Sequence, residues 1–306
     1  MREFDVVVIG AGVAGLTAAM TAARLGPSVG VIERLSPGGQ IMNARRIDNW
    51  PGSPAGLAGI ELATQLFEQA TAAGAEVILD SVTGLDSDGD RHVVHGGEDG
   101  YRARAVIIAA GSRRRLLGIP GAARLMAKGV SHCASCDGPL YRGKHVAVVG
   151  GGDSALDEAL SLAEFVGAVT IFHRGRRLDG QHALIGRVSR TANIEVRLDC
   201  VIEEIIGDSA VDSVRVSDSR TGASAVQPVA AVFIYVGLAP DTEFLGDVIA
   251  LDADGRIVTD PMMATSRAGV FAAGDIRSGS VALLAAVAGD GATAAIAAWR
   301  NIGRER

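Results

Sequence analysis

The chain has 306 residues, a length that suits about two domains. A formal net charge of −6 argues against nucleic acid or an anionic membrane as partner. Three cysteines are too few for a disulfide framework, so redox or metal chemistry in a reducing compartment, the cytoplasm, is expected.

The first apolar run, "FDVVVIG", begins at Phe4 and leaves no room for a signal peptide. It reads as a strand buried on both faces. Gly10, Gly12 and Gly15 follow in G-x-G-x-x-G spacing. "LTAAMTAARLG" then reads as a helix ended by Gly26, and "SVGVIE" as a strand ending on Glu33. Gly10 permits a tight turn, Gly12 lets backbone approach a pyrophosphate, and Gly15 lets helix and strand pack closely. The helix start offers unpaired N–H groups to the phosphates. Glu33, 23 positions after Gly10, can accept hydrogen bonds from a ribose diol. Further on, "AVIIAAGS" reads as another buried strand, ending in Gly111.

Next comes "SHCASCDGPL", with Cys133 and Cys136 two residues apart at a Gly-Pro turn. Such a pair can close a small disulfide ring, or supply half of a zinc site. Zinc needs two further ligands, and His132, His145 and Cys200 are the only nearby thiol or imidazole candidates. No second pair exists, which favours redox chemistry. His132 and Lys144 are candidates for lowering the thiol pKa.

"KHVAVVGGGDSALDEALSLAEFVGAVTIFHR" repeats the nucleotide-binding plan. Gly150, Gly152 and Ala155 give G-x-G-x-x-A, with Ser154 in the same turn. Its second strand ends at His173, again 23 positions on, where Glu33 stood in the first copy. Arg174, Arg176 and Arg177 follow. An acid there repels a 2′-phosphate and a basic cluster attracts one, so NADPH is favoured, with NADH as the alternative.

"AVFIYVG" (231–237) matches the role of "AVIIAAG" and marks the exit from this second unit. "GVFAAGDI" (269–276) ends in Gly274 and Asp275 and completes the first site. The fold class is therefore α/β: two Rossmann-like, three-layer nucleotide-binding domains, the second inserted in the first. Residues 1–113 and 239–306 form the discontinuous first domain, and 114–238 the second. Finally, residues 281–299 have the length of a membrane span but carry Asp290 at the centre. A buried helix, or a turn followed by a helix, is the expectation.

The motifs "GAGVAG", "GGQI", "DNWPG", "AAGS", "CASCDG", "GGGDSALDEA", "YVGLAPDT" and "FAAGDI", in this order, resemble those of the low-molecular-weight bacterial thioredoxin reductases across nearly the whole chain. The resemblance implies FAD at the first site, NADPH at the second and a homodimer in the cytoplasm. By position it implies that Asp275 contacts the ribityl-phosphate arm and that Gln40 and Asn49 lie near the isoalloxazine. It further implies that Cys133 attacks a thioredoxin-like protein, Cys136 faces the flavin and Asp137 is the acid-base residue. In that family the inserted domain rotates so that dithiol and nicotinamide take turns at one flavin. Glycine and proline near 111–118 and 237–240 suit such hinges.

The chain departs from the family pattern in three places. "HRGRRLD" has Gly175 where a second arginine is usual and Asp179 where a later arginine is usual. The loop after His173 is rich in glycine. Ala282 and Leu283 replace an Arg-Gln pair near the flavin. These departures motivate the rival reading, a flavin-dependent oxidase of a small-molecule dithiol that passes electrons to oxygen.

Overall fold

The computed structural model describes residues 1–97 and 100–304. In chain order, the first segment holds β1 (Arg2–Ile9), α1 (Val13–Arg24), β2 (Val29–Glu33), α2 (Gly59–Ala72), β3 (Glu76–Leu79), β4 (Val82–Asp88), β5 (Arg91–Gly96) and β6 (Tyr101–Ile108). A short strand, β7 (Ser112–Arg114), precedes the middle segment. That segment holds β8 (Val130–Ser131), α3 (Ala134–Asp137), β9 (His145–Val149), α4 (Asp153–Ala163), β10 (Ala168–Phe172) and α5 (His182–Arg190). It continues through β11 (Ile194–Arg197), β12 (Cys200–Ile206), β13 (Ser213–Asp218), β14 (Ser224–Pro228) and β15 (Ala231–Ile234). After β16 (Leu238–Pro240) come β17 (Val270–Ala272) and α6 (Leu284–Arg304).

The chain divides into two compact units, Met1–Arg113 with Ala239–Arg306, and Arg114–Leu238. In the discontinuous unit the strand order is β3-β2-β1-β6-β5-β4, with β17 also paired to β6. β3, β2, β1, β6 and β17 run parallel, whereas β5 and β4 are antiparallel additions. The unbroken apolar run of β1 follows from two cores meeting on it. Val6 and Val8 pack with α1, α2 and α6, and Val7 and Ile9 pack with the β4–β5 side and Ile276.

Residues 281–283 precede α6, so the apolar stretch at 281–299 is a turn followed by a helix. Its alanines and glycines serve close packing on α1: a Cβ on Gly291 would stand 2.2 Å from the carbonyl oxygen of Ala14. Among the described residues no helix is long and apolar enough to cross a membrane.

The continuous unit repeats the scheme. A parallel sheet has the order β11-β10-β9-β15-β8, and β12-β13-β14 form a separate antiparallel sheet. Val146 and Val148 of β9 face α4, while Ala147 and Val149 join the core under β12–β14. β6 begins at Tyr101, ahead of the run read from the sequence, and β10 stops at Phe172. His173 is thus the first residue beyond its strand.

Candidate active site

In the discontinuous unit the candidate residues gather where β1, β2, β6 and β17 end. Gly10 has φ +99°, and a Cβ there would lie 2.5 Å from the Ala109 carbonyl oxygen. At Gly15 a Cβ would lie 1.9 Å from the oxygen of Gly10, so the turn closes only with glycine at both positions. Gly12, the N-cap of α1, differs: a Cβ there would meet nothing within 4 Å. That space is open for a pyrophosphate at the helix start. Glu33 accepts the N–H of Ala11 at 2.8 Å through Oε2 and the N–H of Leu35 at 3.0 Å through Oε1. Each carboxylate oxygen keeps a lone pair for a ribose hydroxyl.

The "GGQI" segment packs onto this loop, with the N–H of Gly38 donating to the Ala11 carbonyl at 2.7 Å. Gln40 is exposed and donates from Nε2 to the Ser112 carbonyl at 2.7 Å. Asn49 is exposed and makes no hydrogen bond among the described residues. Gly111 and Gly274 both have positive φ, 68° and 79°. A Cβ on Gly274 would come within 2.9 Å of the Ala14 Cβ, which sets this turn against the start of α1. Asp275 is half-buried and accepts the Ser280 hydroxyl at 3.1 Å.

The turn is held from behind. Asp290, 6% exposed, takes Arg277 in a two-pronged pair, Nε to Oδ2 at 2.7 Å and Nη2 to Oδ1 at 2.8 Å. Its Oδ2 also accepts the N–H of Gly274 at 3.2 Å. The sequence marked Asp290 only as a charge in an apolar run; its partners lie on another turn of the chain. Ala282 adopts φ 51° and Leu283 is exposed, so neither offers the polar groups of the Arg-Gln pair they replace.

In the continuous unit a second cradle has the same build. Gly150 has φ +139°, with a would-be Cβ 2.2 Å from the Tyr235 carbonyl oxygen, and Ala155 packs against it. Gly152 caps α4 and faces open space; Ser154, in the first turn, is exposed. His173 is buried, its ring sandwiched between glycines. A Cβ on Gly151 would lie 2.3 Å from Nδ1, and one on Gly175 would lie 2.6 Å from Nε2. Asp179 stands 3.4 Å from Nε2. Arg174, Arg176 and Arg177 are exposed and make no hydrogen bond or ion pair among the described residues. They are available to an anion, with one carboxylate beside them. Both cradles fit a dinucleotide: open backbone at a helix start, with ribose- or phosphate-matching groups one strand away.

Cys133 and Cys136 form a disulfide, with Cα atoms 5.3 Å apart. Cys133 is half-buried and Cys136 exposed. The sulfur of Cys133 faces two donors, the N–H of Cys136 at 3.2 Å and the Ser135 hydroxyl at 3.4 Å. Ser131 donates to Asp137 Oδ2 at 2.5 Å and accepts the N–H of Cys133 at 3.0 Å, so one hydroxyl ties the loop to its carboxylate. On the other side Glu158 of α4 accepts the N–H of Ala134 at 2.9 Å. Neither Ser131 nor Glu158 carries a spacing signal; both are found only once the loop is folded.

The remaining thiol and imidazole candidates are engaged elsewhere. His132 Nδ1 lies 2.9 Å from the Ile234 carbonyl, which makes it a donor there. His145 pairs with Thr170 at 2.9 Å. Cys200 is half-buried at the start of β12, and its thiol pKa is pushed up, by burial first. Among the described residues no cluster of three metal ligands forms.

The disulfide is borne on one unit, and each unit carries a glycine cradle of its own. Residues 4–296 match the family of pyridine nucleotide-disulphide oxidoreductases. The chain belongs to that family. It is 39% identical to a thioredoxin reductase of Treponema pallidum over 296 residues, 97% of this chain and 96% of that protein. It is 38% identical to a thioredoxin reductase of Bacillus subtilis over 295 residues, 96% of this chain and 93% of that protein. A crystal structure of Lactococcus lactis thioredoxin reductase superposes with a TM-score of 0.96 at 39% identity, covering 98% of this chain and 99% of that one. This pyridine nucleotide-disulphide oxidoreductase is therefore an enzyme, and its cofactors are FAD and NADPH.

Proposed function

We propose that the enzyme reduces the disulfide of a thioredoxin with electrons from NADPH. The observation that carries the reading is the Cys133–Cys136 disulfide on the same unit as the second cradle, with two donors facing the Cys133 sulfur. In this reading residues 1–113 and 239–306 are the FAD-binding domain, and 114–238 the NADPH-binding domain. Gly10, Gly12, Gly15, Glu33, Gln40, Asn49, Gly111, Gly274 and Asp275 hold FAD. Gly150, Gly152, Ser154, Ala155, His173 and Arg174 hold the nucleotide. The enzyme works as a cytoplasmic homodimer, without nucleic acid or membrane partners.

Bound FAD supplies a carrier that takes two electrons from a nicotinamide and gives two to a disulfide. The chain's own residues do the rest. Reduction of the Cys133–Cys136 bond leaves a dithiol in which the Cys136 N–H and the Ser135 hydroxyl favour the thiolate at Cys133. That thiolate attacks one sulfur of the substrate disulfide; a mixed disulfide forms and a substrate thiolate leaves. Asp137, oriented by Ser131, is the group that gives this thiolate its proton. Cys136 then attacks the sulfur of Cys133, releases the second substrate thiol and restores the disulfide. Two electrons and two protons reach the substrate. The dithiol oxidase reading is not favoured, since the relatives that span the chain are thioredoxin reductases.

The test is steady-state NADPH oxidation with oxidised thioredoxin as acceptor, alongside anaerobic flavin reduction by NADPH. Thioredoxin-dependent turnover is expected. Flavin that NADPH leaves oxidised, or hydrogen peroxide made from a small dithiol without nucleotide, overturns the proposal.

A further inference from the structure

α4 carries two things at once. Its N-cap, Gly152, opens the nucleotide cradle, and Glu158, further along the same helix, reaches the dithiol loop. The Glu158 carboxylate accepts the N–H of Ala134, the first amide after Cys133, at 2.9 Å; Ala134 itself is fully buried. The buried hydroxyl of Tyr235 lies against the same carboxylate. Arg114 and Asp157 are the other charges that act on it. Ser131 and Asp137 hold the far side of the loop, so nothing in the mechanism above uses Glu158.

We propose that Glu158 is a positioning residue for the Cys133–Cys136 pair, whose carboxylate holds the Ala134 amide and sets the protonation of the reduced Cys133 through its charge. The inference rests on the proposed role of that pair. The disulfide is neutral and the reduced loop carries a thiolate at Cys133. An ionised Glu158, bonded to the amide that follows Cys133, then adds a second negative charge to that of the thiolate. The balance is two electrons and two protons: the S–S bond breaks, Cys133 becomes a thiolate, Cys136 takes one proton and Asp137 the other. The electrons are those the enzyme draws from NADPH. Burial already pushes the Glu158 pKa up; the Ala134 N–H, Tyr235 and Arg114 oppose that, and Asp157 reinforces it. Glu158 therefore makes the thiol pKa of Cys133 higher than the loop alone would set it.

The test is the pH profile of iodoacetamide alkylation of the reduced holoenzyme, in wild type, Glu158→Gln and Glu158→Ala. Glutamine keeps a carbonyl acceptor for the Ala134 N–H and removes the titrating charge. Its Cys133 pKa is expected to fall by on the order of one unit, and alkylation below that pKa to speed up about tenfold. Glu158→Ala loses both the charge and the anchor, so it should shift the same pKa and also slow thioredoxin reduction; glutamine should rescue that rate. Flavin reduction by NADPH should be unchanged in both. An unshifted thiol pKa in Glu158→Gln overturns the proposal. So does loss of NADPH-dependent flavin reduction in both variants, which would make Glu158 a residue of the cradle. Alkylation reports on Glu158 even if wild-type enzyme proves unable to reduce thioredoxin, so the two readings fail separately.

Discussion

Asp290→Ala tests whether the Gly274 turn depends on the carboxylate behind it. The Asp290 and Arg277 side chains are 9% and 17% exposed, so the pair is nearly buried. Removing one partner leaves a guanidinium desolvated without its counter-charge, at a cost of about 3–5 kcal/mol. The Gly274 N–H also loses its acceptor. At roughly 2–4 °C per kcal/mol for a large domain, the discontinuous unit should melt about 6–20 °C lower. Because Gly274 and Asp275 sit on the turn that is released, FAD should also leave at lower temperature, before global unfolding. Thermal unfolding followed together with the rise of free-flavin fluorescence measures both. The double variant Asp290→Leu with Arg277→Met replaces the pair by apolar groups and should recover most of the melting temperature, since a buried ion pair is worth little over a packed apolar pair. It should not recover flavin retention, because leucine offers the Gly274 N–H nothing. A melting temperature for Asp290→Ala within about a degree of wild type, with FAD held as tightly, refutes the reasoning.

Gly12→Ala and Gly15→Ala should separate binding from folding: the first keeps the apoprotein's melting temperature but weakens FAD binding in a titration, whereas the second fails to fold, its Cβ meeting the Gly10 carbonyl. Asp179→Arg should raise kcat/KM for NADPH by up to about tenfold and leave NADH unchanged, because an exposed like charge beside a 2′-phosphate costs no more than ~1.4 kcal/mol. Gly175→Arg alone should not help NADPH, since its Cβ requires the buried His173 ring to move; a gain equal to that of Asp179→Arg would contradict this. Cys133→Ser should abolish thioredoxin turnover in a coupled assay while stopped-flow flavin reduction by NADPH persists. His92 is buried, and burial, with Arg267 behind it, holds its pKa below 6.5. The unfolded chain therefore binds the extra proton first, stability should fall as pH drops below about 6.5, and His92→Gln should flatten that part of the melting profile.

Both glycine cradles were legible because their glycines answer to backbone geometry local to one turn. Gly10 and Gly150 carry the positive φ that their spacing suggests. The strands were legible where both faces are buried, as in β1 and β9. The antiparallel pieces were not: β4 reads "VTGLDSD" and β14 "SAVQP", short and mostly polar, with no apolar run to mark them. Within the site, Cys133 and Cys136 stood out by type and spacing. Glu158 meets Ala134 from 24 positions away, and Arg277 meets Asp290 across a turn and a helix. Contacts of that kind are set by packing, which a linear pattern does not encode. The loop after His173 shows the same limit: Asp179 was visible as a charge, but the glycine-lined slot that holds the histidine ring was not.

The pairing of β17 with β6 also dictates an order of assembly. All of the continuous unit, with its own core and its own cradle, is synthesised before β17. Until then the Val106–Ile108 end of β6 lacks its β17 neighbour, and Gly274, Asp275 and α6 are missing from the turn and helix packing that complete the first cradle. Nascent chains therefore pass through a stage with one domain built and the other waiting half-made with an open sheet edge, the kind of species that chaperones protect. Closing that sheet joins segments far apart in sequence and is intrinsically slow. Flavin, which can be gripped only once both segments meet, is the ligand whose supply should govern the yield of native enzyme during refolding.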